Sequence, residues 1–368
     1  MDNIARLLST KTSRPSNAIH SCETFRSNTL FRLDDVQVRS LVQDLHRVNP
    51  TIYWADLLVS SMIGWVCVAM AVALRPFSLA MLACSAVSVV AIYRVLCFIH
   101  EISHQNQRTL PGFEAMWNIL AGFPLLMPSF VYCGVHNDHH RLTTYGTPND
   151  PEYLPFARSA GMTLLFAVES FFIPAVLLIR FLVLAPFGFI SSRFQRWLVT
   201  HLSSLTINIR YCRRVSPELI AKVRRDTLTM LAMWSVFFGL TAAGIIPIRA
   251  LGIWFLVVST ASFVNTIRTL GAHAYESSGQ PLDRTGQLMD SIDTPGKFWT
   301  ELWAPVGLRY HALHHYYPGI PYHSLPQAYR RLTSSNSLGG EYKKMSSPGL
   351  LRSVGNLVRK GLSSESAD

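Results

Sequence analysis

HEISH at residues 100–104, HNDHH at residues 136–140 and HALHH at residues 311–315 place eight of the thirteen histidines in three short clusters. Residues three or four apart share one face of a helix, so the rings of one cluster can reach a common metal ion. The adjacent pairs in the second and third clusters can serve two neighbouring ions. A single histidine in an apolar region is more often structural, but eight at this spacing indicate a metal centre, since imidazole binds iron, copper and zinc. The predicted ligands are His100, His104, His136, His139, His140, His311, His314 and His315.

The composition is that of a membrane protein. Apolar residues make up 49% of the 368 residues and charged residues only 15%, which is too apolar for an ordinary soluble domain. The net charge of +11 would suggest a nucleic-acid partner in a soluble protein. In a membrane protein we instead expect lysine and arginine to mark cytoplasmic loops that meet anionic lipid, with no nucleic-acid partner.

Four apolar stretches are predicted to cross the bilayer as two helical hairpins. They lie near residues 56–74, 78–98, 228–246 and 250–267, and each is close to the roughly 20 residues that a spanning helix needs. If all three clusters bind the same metal centre, they lie on one side of the membrane. An even number of crossings must then separate each cluster from the next.

Two further apolar stretches are predicted to be re-entrant or interfacial. Residues 113–132 contain Gly122, Pro124 and Pro128, which argue against a regular spanning helix. Residues 162–190 carry Glu169 and Arg180 and are predicted to lie in the membrane interface.

The predicted organisation has three parts: a cytoplasmic N-terminal segment (1–50), a membrane domain (51–333) and a flexible cytoplasmic tail (334–368). Eight basic residues lie between residues 187 and 226, against one arginine at each opposite hairpin tip. The positive-inside rule therefore places this basic loop, both termini and the histidine clusters in the cytoplasm.

The first cluster is also an HExxH sequence, the zinc metalloprotease pattern in which Glu101 would be the general base. An intramembrane protease is therefore an alternative, although it gives no role to the two later clusters. A histidine-lined metal transporter is another alternative. Transporters place their polar site near the bilayer midplane, whereas these clusters lie at helix ends.

The order HxxxH, HxxHH, HxxHH and the two predicted hairpins resemble the membrane fatty acid desaturase superfamily over roughly residues 50–333. The stretch LHHYYPGIPYHSLPQAYRRL at residues 313–332 is similar to bacterial members. The resemblance implies an all-α integral membrane protein of the bacterial inner membrane. It would have four transmembrane helices, interfacial or re-entrant helices and a cytoplasmic histidine-rich di-iron cap.

The resemblance also implies a ligand set. Two iron ions would be held by the eight clustered histidines and by His273, which follows the fourth predicted span. Asn265 resembles the family's water-bridging asparagine, and His323 is expected to support the centre or fix a loop rather than bind metal.

Carboxylates near the clusters could accept a ring N–H and hold each imidazole in one tautomer. Glu101, Asp138, Asp150 and Glu152 are the candidates, and Asp138, inside the second cluster, is the favoured one.

The implied activity is O2-dependent desaturation of a fatty acyl chain of a lipid. This sequence has no flavin, haem or iron–sulfur motif, so two electrons would come from ferredoxin or a similar carrier. That carrier is expected to dock on the basic face that includes Arg213 and Arg214. Related hydroxylases, ketolases and acetylenases carry similar clusters, so oxidation of another kind on an alkyl substrate is the alternative.

Overall fold

The computed structural model describes residues 35–204 and 207–366, and within these ranges the protein is helical, without β-strands. The helices are α1 (Asp35–Val42), α2 (Pro50–Ala73), α3 (Leu79–His104), α4 (Phe113–Trp117), α5 (Val135–His139), α6 (Ala160–Ile190), α7 (Ser192–His201), α8 (Pro217–Ala242), α9 (Arg249–Leu270), α10 (Arg284–Asp290), α11 (His311–Tyr316), α12 (Leu325–Ser334), α13 (Gly339–Tyr342) and α14 (Leu350–Glu365). The predicted all-α membrane architecture is confirmed.

Four of the described helices are long and apolar enough to cross a membrane: α2, α3, α6 and α9. The predicted number of four is thus confirmed, but the set differs from the predicted one. Helix α6 is long and apolar enough to span the membrane, although the sequence predicts an interfacial position for it. Helix α8 contains most of the predicted span at 228–246, but it begins with the charged sequence PELIAKVRRD and does not meet the criterion. The assignment of residues to spans, and the second hairpin, stay predictions.

Helices α2 and α3 pack antiparallel through close contacts between small and large residues. Gly64 of α2 lies against Ile92 of α3, and a Cβ at Gly64 would come within 2.8 Å of the Ile92 side chain. Nearer the histidine end, Arg94 donates two hydrogen bonds to Asp56, at 2.7 and 2.6 Å. The Tyr322 hydroxyl donates to the same carboxylate at 2.8 Å. This pairing neutralises both charges and ties the two helices to the loop before α12.

Residues 113–132 form a short helix and turns rather than a spanning helix. Helix α4 continues into a wide turn at Asn118–Gly122, and the backbone then leaves carbonyl groups outside any regular helix. Tryptophan side chains from three other helices donate to these carbonyls: Trp65 to Leu120 at 2.8 Å, Trp234 to Phe123 at 3.1 Å and Trp254 to Pro124 at 2.9 Å. Irregular backbone among apolar helices needs such partners, because unpaired carbonyls are costly there.

The predicted flexible tail at residues 334–368 instead contains two helices, α13 and α14. Helix α14 buries one face, with Ser353, Leu357 and Gly361 on it. Gly361 packs so closely on the start of α6 that an added Cβ would lie 2.5 Å from the Ala160 nitrogen. The spacing of small and apolar residues on this face explains why the segment folds onto the membrane domain.

Candidate metal centre

All nine predicted histidine ligands converge on one buried region. The last turn of α3 supplies two of them, α5 and the residue after it supply three, the loop after α9 supplies one and α11 supplies three. The possible ligand nitrogens of His100, His104, His136, His140 and His314 all lie within 4.8 Å of one another. Those of His139, His273 and His315 do the same beside them. We call these sets the first and second histidine groups.

His311 joins the second group through its Nε2 atom, which lies 2.8 Å from Nε2 of His273 and 3.1 Å from Nε2 of His315. The adjacent pairs are divided between the two groups. His140 and His314 belong to the first, and their neighbours His139 and His315 belong to the second. Each adjacent pair therefore contributes one ring to each of two neighbouring groups.

The donor atoms fit metal binding. Nε2 of His140 lies 3.1 Å from that of His136 and 3.2 Å from that of His314. Nitrogens on one ion at roughly 2.1 Å each, at right angles, would be about 3 Å apart. Both ring nitrogens of His100 and Nε2 of His104 are buried without a hydrogen-bond partner among the described residues. Buried polar atoms are rarely left unpaired, and a bound metal would satisfy them.

Burial also favours the protonation state that metal binding needs. It lowers the pKa of five of these imidazoles well below its usual value, so they are neutral and offer a lone pair. They are His136, His140, His311, His314 and His315. His139 differs: burial disfavours its charged form too, but attraction to Asp150 outweighs this effect and raises the pKa of His139.

Two carboxylates after the second cluster orient its rings. The two oxygens of Asp150 lie 2.8 and 3.0 Å from Nδ1 of His139. The oxygens of Asp150 also accept the backbone N–H groups of Gly146 and Glu152, both at 2.9 Å, which fixes the carboxylate. Glu152 Oε1 lies 2.9 Å from Nδ1 of His136. An Nδ1–H that donates outward leaves Nε2 free to face the centre.

A third contact of this kind was not predicted from the sequence. The Tyr145 hydroxyl lies 2.9 Å from Nδ1 of His273 and donates to Asp290 Oδ2 at 2.8 Å. Tyr153 also donates to Asp290, at 3.0 Å. Each of these three contacts joins residues more than one hundred positions apart in the chain, so no local pattern links them.

The favoured role for Asp138 is wrong. Its carboxylate accepts a hydrogen bond from the Tyr211 hydroxyl at 2.5 Å and pairs with Arg141 at 2.9 Å. Within the described chain no ring nitrogen is bonded to it. Asp138 lies two residues after His136 on α5, and this spacing turns a side chain to the opposite face of a helix.

Glu101 likewise does not hold a histidine ring. It accepts hydrogen bonds from the Tyr53 hydroxyl and from the Tyr322 backbone N–H, and its closest approach to His100 Nδ1 is 3.9 Å. Glu101 therefore ties α2 and α3 to the loop before α12. This engagement also argues against its use as the general base of a protease.

The remaining predicted residues lie outside both histidine groups. His323 accepts the Asn49 backbone N–H at 3.1 Å and so helps to fix the start of α2. Asn265 accepts a hydrogen bond from Arg268 at 3.0 Å.

The third cluster is held by Asp293, which lies 18 residues before His311. Its Oδ1 accepts the N–H groups of Ala312 at 2.8 Å and Leu313 at 3.3 Å, and its Oδ2 accepts the Tyr342 hydroxyl at 2.6 Å. Burial raises the pKa of Asp293 to about 7.

Arg213 is part of the scaffold and not of an open docking face. It is 8% exposed and donates to the carbonyls of Phe130 and Cys133, just before the second cluster. Arg214 beside it is exposed. The predicted pairing of these two arginines as one docking surface is corrected for Arg213.

A cavity of about 200 Å³ lies between α3, α6 and α9, and His100 is among its lining residues. Apolar side chains line much of it, among them Leu96, Leu177 and Phe181, and Asn265 and Arg268 also line it. A single water needs only about 10–15 Å³, so part of an alkyl chain can fit beside the first histidine group.

Two comparisons with known proteins agree with this geometry. The model of the fatty acid desaturase family matches residues 76–336, which include all nine histidines. A ceramide hydroxylase of Caulobacter vibrioides (strain NA1000 / CB15N) is 38% identical over 328 residues, covering 88% of this chain and 93% of that relative.

Proposed function

Because this chain belongs to the fatty acid desaturase family, we propose that it is a membrane oxidoreductase that hydroxylates an alkyl chain of a ceramide with O2. The observation that carries the proposal is the pair of adjacent histidine groups, one of which reaches the lining of a largely apolar cavity through His100. The near full-length similarity to a ceramide hydroxylase favours hydroxylation over the desaturation expected from the sequence.

The two histidine groups would hold one iron ion each, since all their donors are imidazoles and imidazole suits iron. Iron bound there would supply the oxidising power that O2-dependent attack on an unactivated C–H bond requires. Asp150 and Glu152 hold the rings of His139 and His136 with Nε2 facing inward. The helices around the cavity position the alkyl chain and exclude bulk water, so that one C–H bond lies next to the centre.

The proposed reaction needs an external reductant. One C–H bond becomes C–OH, and the second oxygen atom of O2 leaves as water after taking up two electrons and two protons. Desaturation would use the same inputs, remove two hydrogens from adjacent carbons and release both oxygen atoms as water. A one-electron carrier protein such as ferredoxin, acting twice, would supply the electrons.

We place the docking site of this carrier at a second opening, between α14 and the loop after α9. Its lining includes His273 of the second histidine group and four basic residues, Lys344, Arg352, Arg359 and Lys360, which we call the basic groove. Lys344 and Lys360 pair with Glu341 and Glu276, whereas Arg352 and Arg359 are exposed and pair with no carboxylate among the described residues. The positive charge of the groove suits an acidic carrier protein. Because His273 lines the groove, electrons from a carrier bound there would have a short path to the second histidine group.

The test uses detergent-purified, iron-loaded protein with NADPH, ferredoxin–NADP reductase, ferredoxin and a ceramide. Mass spectrometry should detect a ceramide that has gained one oxygen atom, and the product should be absent with the His139→Ala and His315→Ala variants. Loss of two hydrogens would establish desaturation instead. An unchanged ceramide beside an oxidised phospholipid or free fatty acid would overturn the proposed substrate. One zinc per chain that survives His314→Ala would favour the hydrolase reading.

A further inference from the structure

Arg268 is a charged residue in the last turn of α9, and it lines the same cavity as His100. Its Nη2 donates to Asn265 Oδ1 at 3.0 Å and to Thr269 Oγ1 at 2.8 Å. Its Nε is buried without a hydrogen-bond partner among the described residues. Within the same ranges no carboxylate forms an ion pair with it.

A guanidinium without a carboxylate partner among membrane helices is costly and usually functional. Arg94 on the neighbouring helix α3 differs from Arg268, because its charge is neutralised by ion pairs with Asp56 and Glu301. Arg268 instead combines a free donor with a position in the substrate cavity. A positive charge in the last turn of α9 also interacts favourably with the helix dipole. An exposed lysine would give the same stabilisation without placing a charge in the cavity.

The position of Arg268 restricts what can lie beside the centre. His100, Asn265 and Arg268 line the same cavity, so a lipid bound there can contact both the His100 ring and the guanidinium. An alkyl chain with its middle at the centre would leave the donor Nε unpaired and would place methylene groups against a charge. A lipid with a carbonyl or hydroxyl oxygen at this point would instead accept a charge-assisted hydrogen bond.

We propose that Arg268, supported by Asn265, binds an oxygen of the ceramide head, its amide carbonyl or a hydroxyl, and thereby places a C–H bond within the first few carbons of the head at the histidine groups. Arg268 would thus determine the position of oxidation, while the apolar part of the cavity takes the following segment of chain. This inference rests on the proposed function.

The first experiment locates the oxygen in the product of the wild-type enzyme by tandem mass spectrometry. We expect it within the first few carbons from the amide, on either chain of the ceramide. Oxygen in the middle or at the far end of a chain would overturn the inference while leaving the proposed hydroxylation intact. If the iron-loaded, reducible enzyme oxidises no ceramide at all, the proposed function fails instead.

The second experiment measures binding without catalysis, by displacement of a fluorescent short-chain ceramide from detergent-purified protein. Arg268→Met should weaken binding roughly ten- to a hundredfold, the range for losing a hydrogen bond to a charged group. Arg268→Lys, which keeps the charge, should recover part of the affinity. Unchanged affinity in a folded Arg268→Met protein would overturn the inference.

Arg180→Met is the matched control, because Arg180 is a buried arginine of another candidate span and is absent from the cavity lining. Its one hydrogen bond among the described residues, to the Leu198 carbonyl, is long at 3.5 Å. We expect it to leave ceramide affinity unchanged. Iron content and melting temperature of each variant identify folding defects, and equal losses of affinity in both methionine variants would assign Arg268 a structural role.

Discussion

The Asp150 carboxylate lies 2.8 Å from Nδ1 of His139, and both side chains are buried. Asp150 is itself fixed by the backbone N–H groups of Gly146 and Glu152. The loop after the second cluster therefore folds back and sets the orientation of a ring in that cluster. Such partners commonly change metal affinity ten- to a hundredfold when they are removed.

We predict that Asp150→Asn lowers iron affinity by about ten- to a hundredfold. The amide keeps one acceptor oxygen but loses the charge that favours Nδ1–H on His139. One oxygen also cannot replace the two that now accept from His139, Gly146 and Glu152. Iron per chain after dialysis against a graded chelator series measures the effect.

Asp138→Asn is the matched control, because Asp138 lies in the same cluster but bonds to Tyr211 and Arg141. It should retain iron at the wild-type chelator concentration. Equal iron loss in both variants would show that charge near the cluster, rather than the contact with His139, is what matters.

A second prediction concerns two of the histidines outside the three clusters, His273 and His323. His273 lies in the second histidine group, whereas His323 bonds the Asn49 backbone. His273→Ala should therefore lose iron, with at least one ion per chain less well retained. His323→Ala should keep both ions and lose about 1 kcal/mol of stability, the usual value of one hydrogen bond. Elemental analysis and thermal unfolding separate the two outcomes, and full iron retention by His273→Ala would remove His273 from the ligand set.

The histidine clusters are predictable from the sequence because the histidines of each cluster lie within five consecutive residues. A spacing of three or four residues places rings on one helix face, and the adjacent pairs give two neighbouring groups. The same rule, applied to Asp138, would have excluded it, since it lies two residues after His136. Asp290 could not be found in this way, because only the tertiary fold brings it to Tyr145 and His273.

The spans were less predictable than the clusters. By hydropathy and length α6 is a spanning candidate. The requirement for an even number of crossings between the second and third clusters, together with Glu169 and Arg180 within the stretch, instead predicts an interfacial position. Tail helix α14 was missed because its buried face uses small residues such as Ser353 and Gly361, which carry little hydrophobic signal. Close packing on α6 defines that face, and such packing is invisible in a single sequence.

The third prediction concerns the contribution of Asp293 to the pH dependence of the free energy of unfolding. Burial raises the pKa of Asp293 from 3.8 to about 7, so the folded protein binds this proton more tightly than the unfolded chain. The resulting stabilisation is fully present below about pH 4 and is lost as pH rises through about 7. Asparagine does not titrate, so wild type should lose stability relative to Asp293→Asn across this window, on the order of 2–4 kcal/mol.

Thermal unfolding of both proteins between pH 4 and pH 8 measures the difference, in which the shared titration of the histidines cancels. The variant also loses the acceptor for the Tyr342 hydroxyl. That cost is independent of pH and shifts the whole curve. A difference that stays constant with pH, or grows in the opposite direction, would contradict the assignment.

The last prediction concerns the basic groove. Arg352→Glu with Arg359→Glu should slow reduction of the iron-loaded protein by ferredoxin about tenfold at low salt, because steering by opposite charges mainly sets the association rate. The wild-type rate should fall with ionic strength, and the variant's rate should depend on it less. Stopped-flow reduction measures both, and dithionite reduction should be equal in all proteins. Arg214→Glu is the control, since Arg214 is exposed but lies outside the groove. Slower reduction in Arg214→Glu with a normal rate in the double variant would move the docking site to the loop before α8.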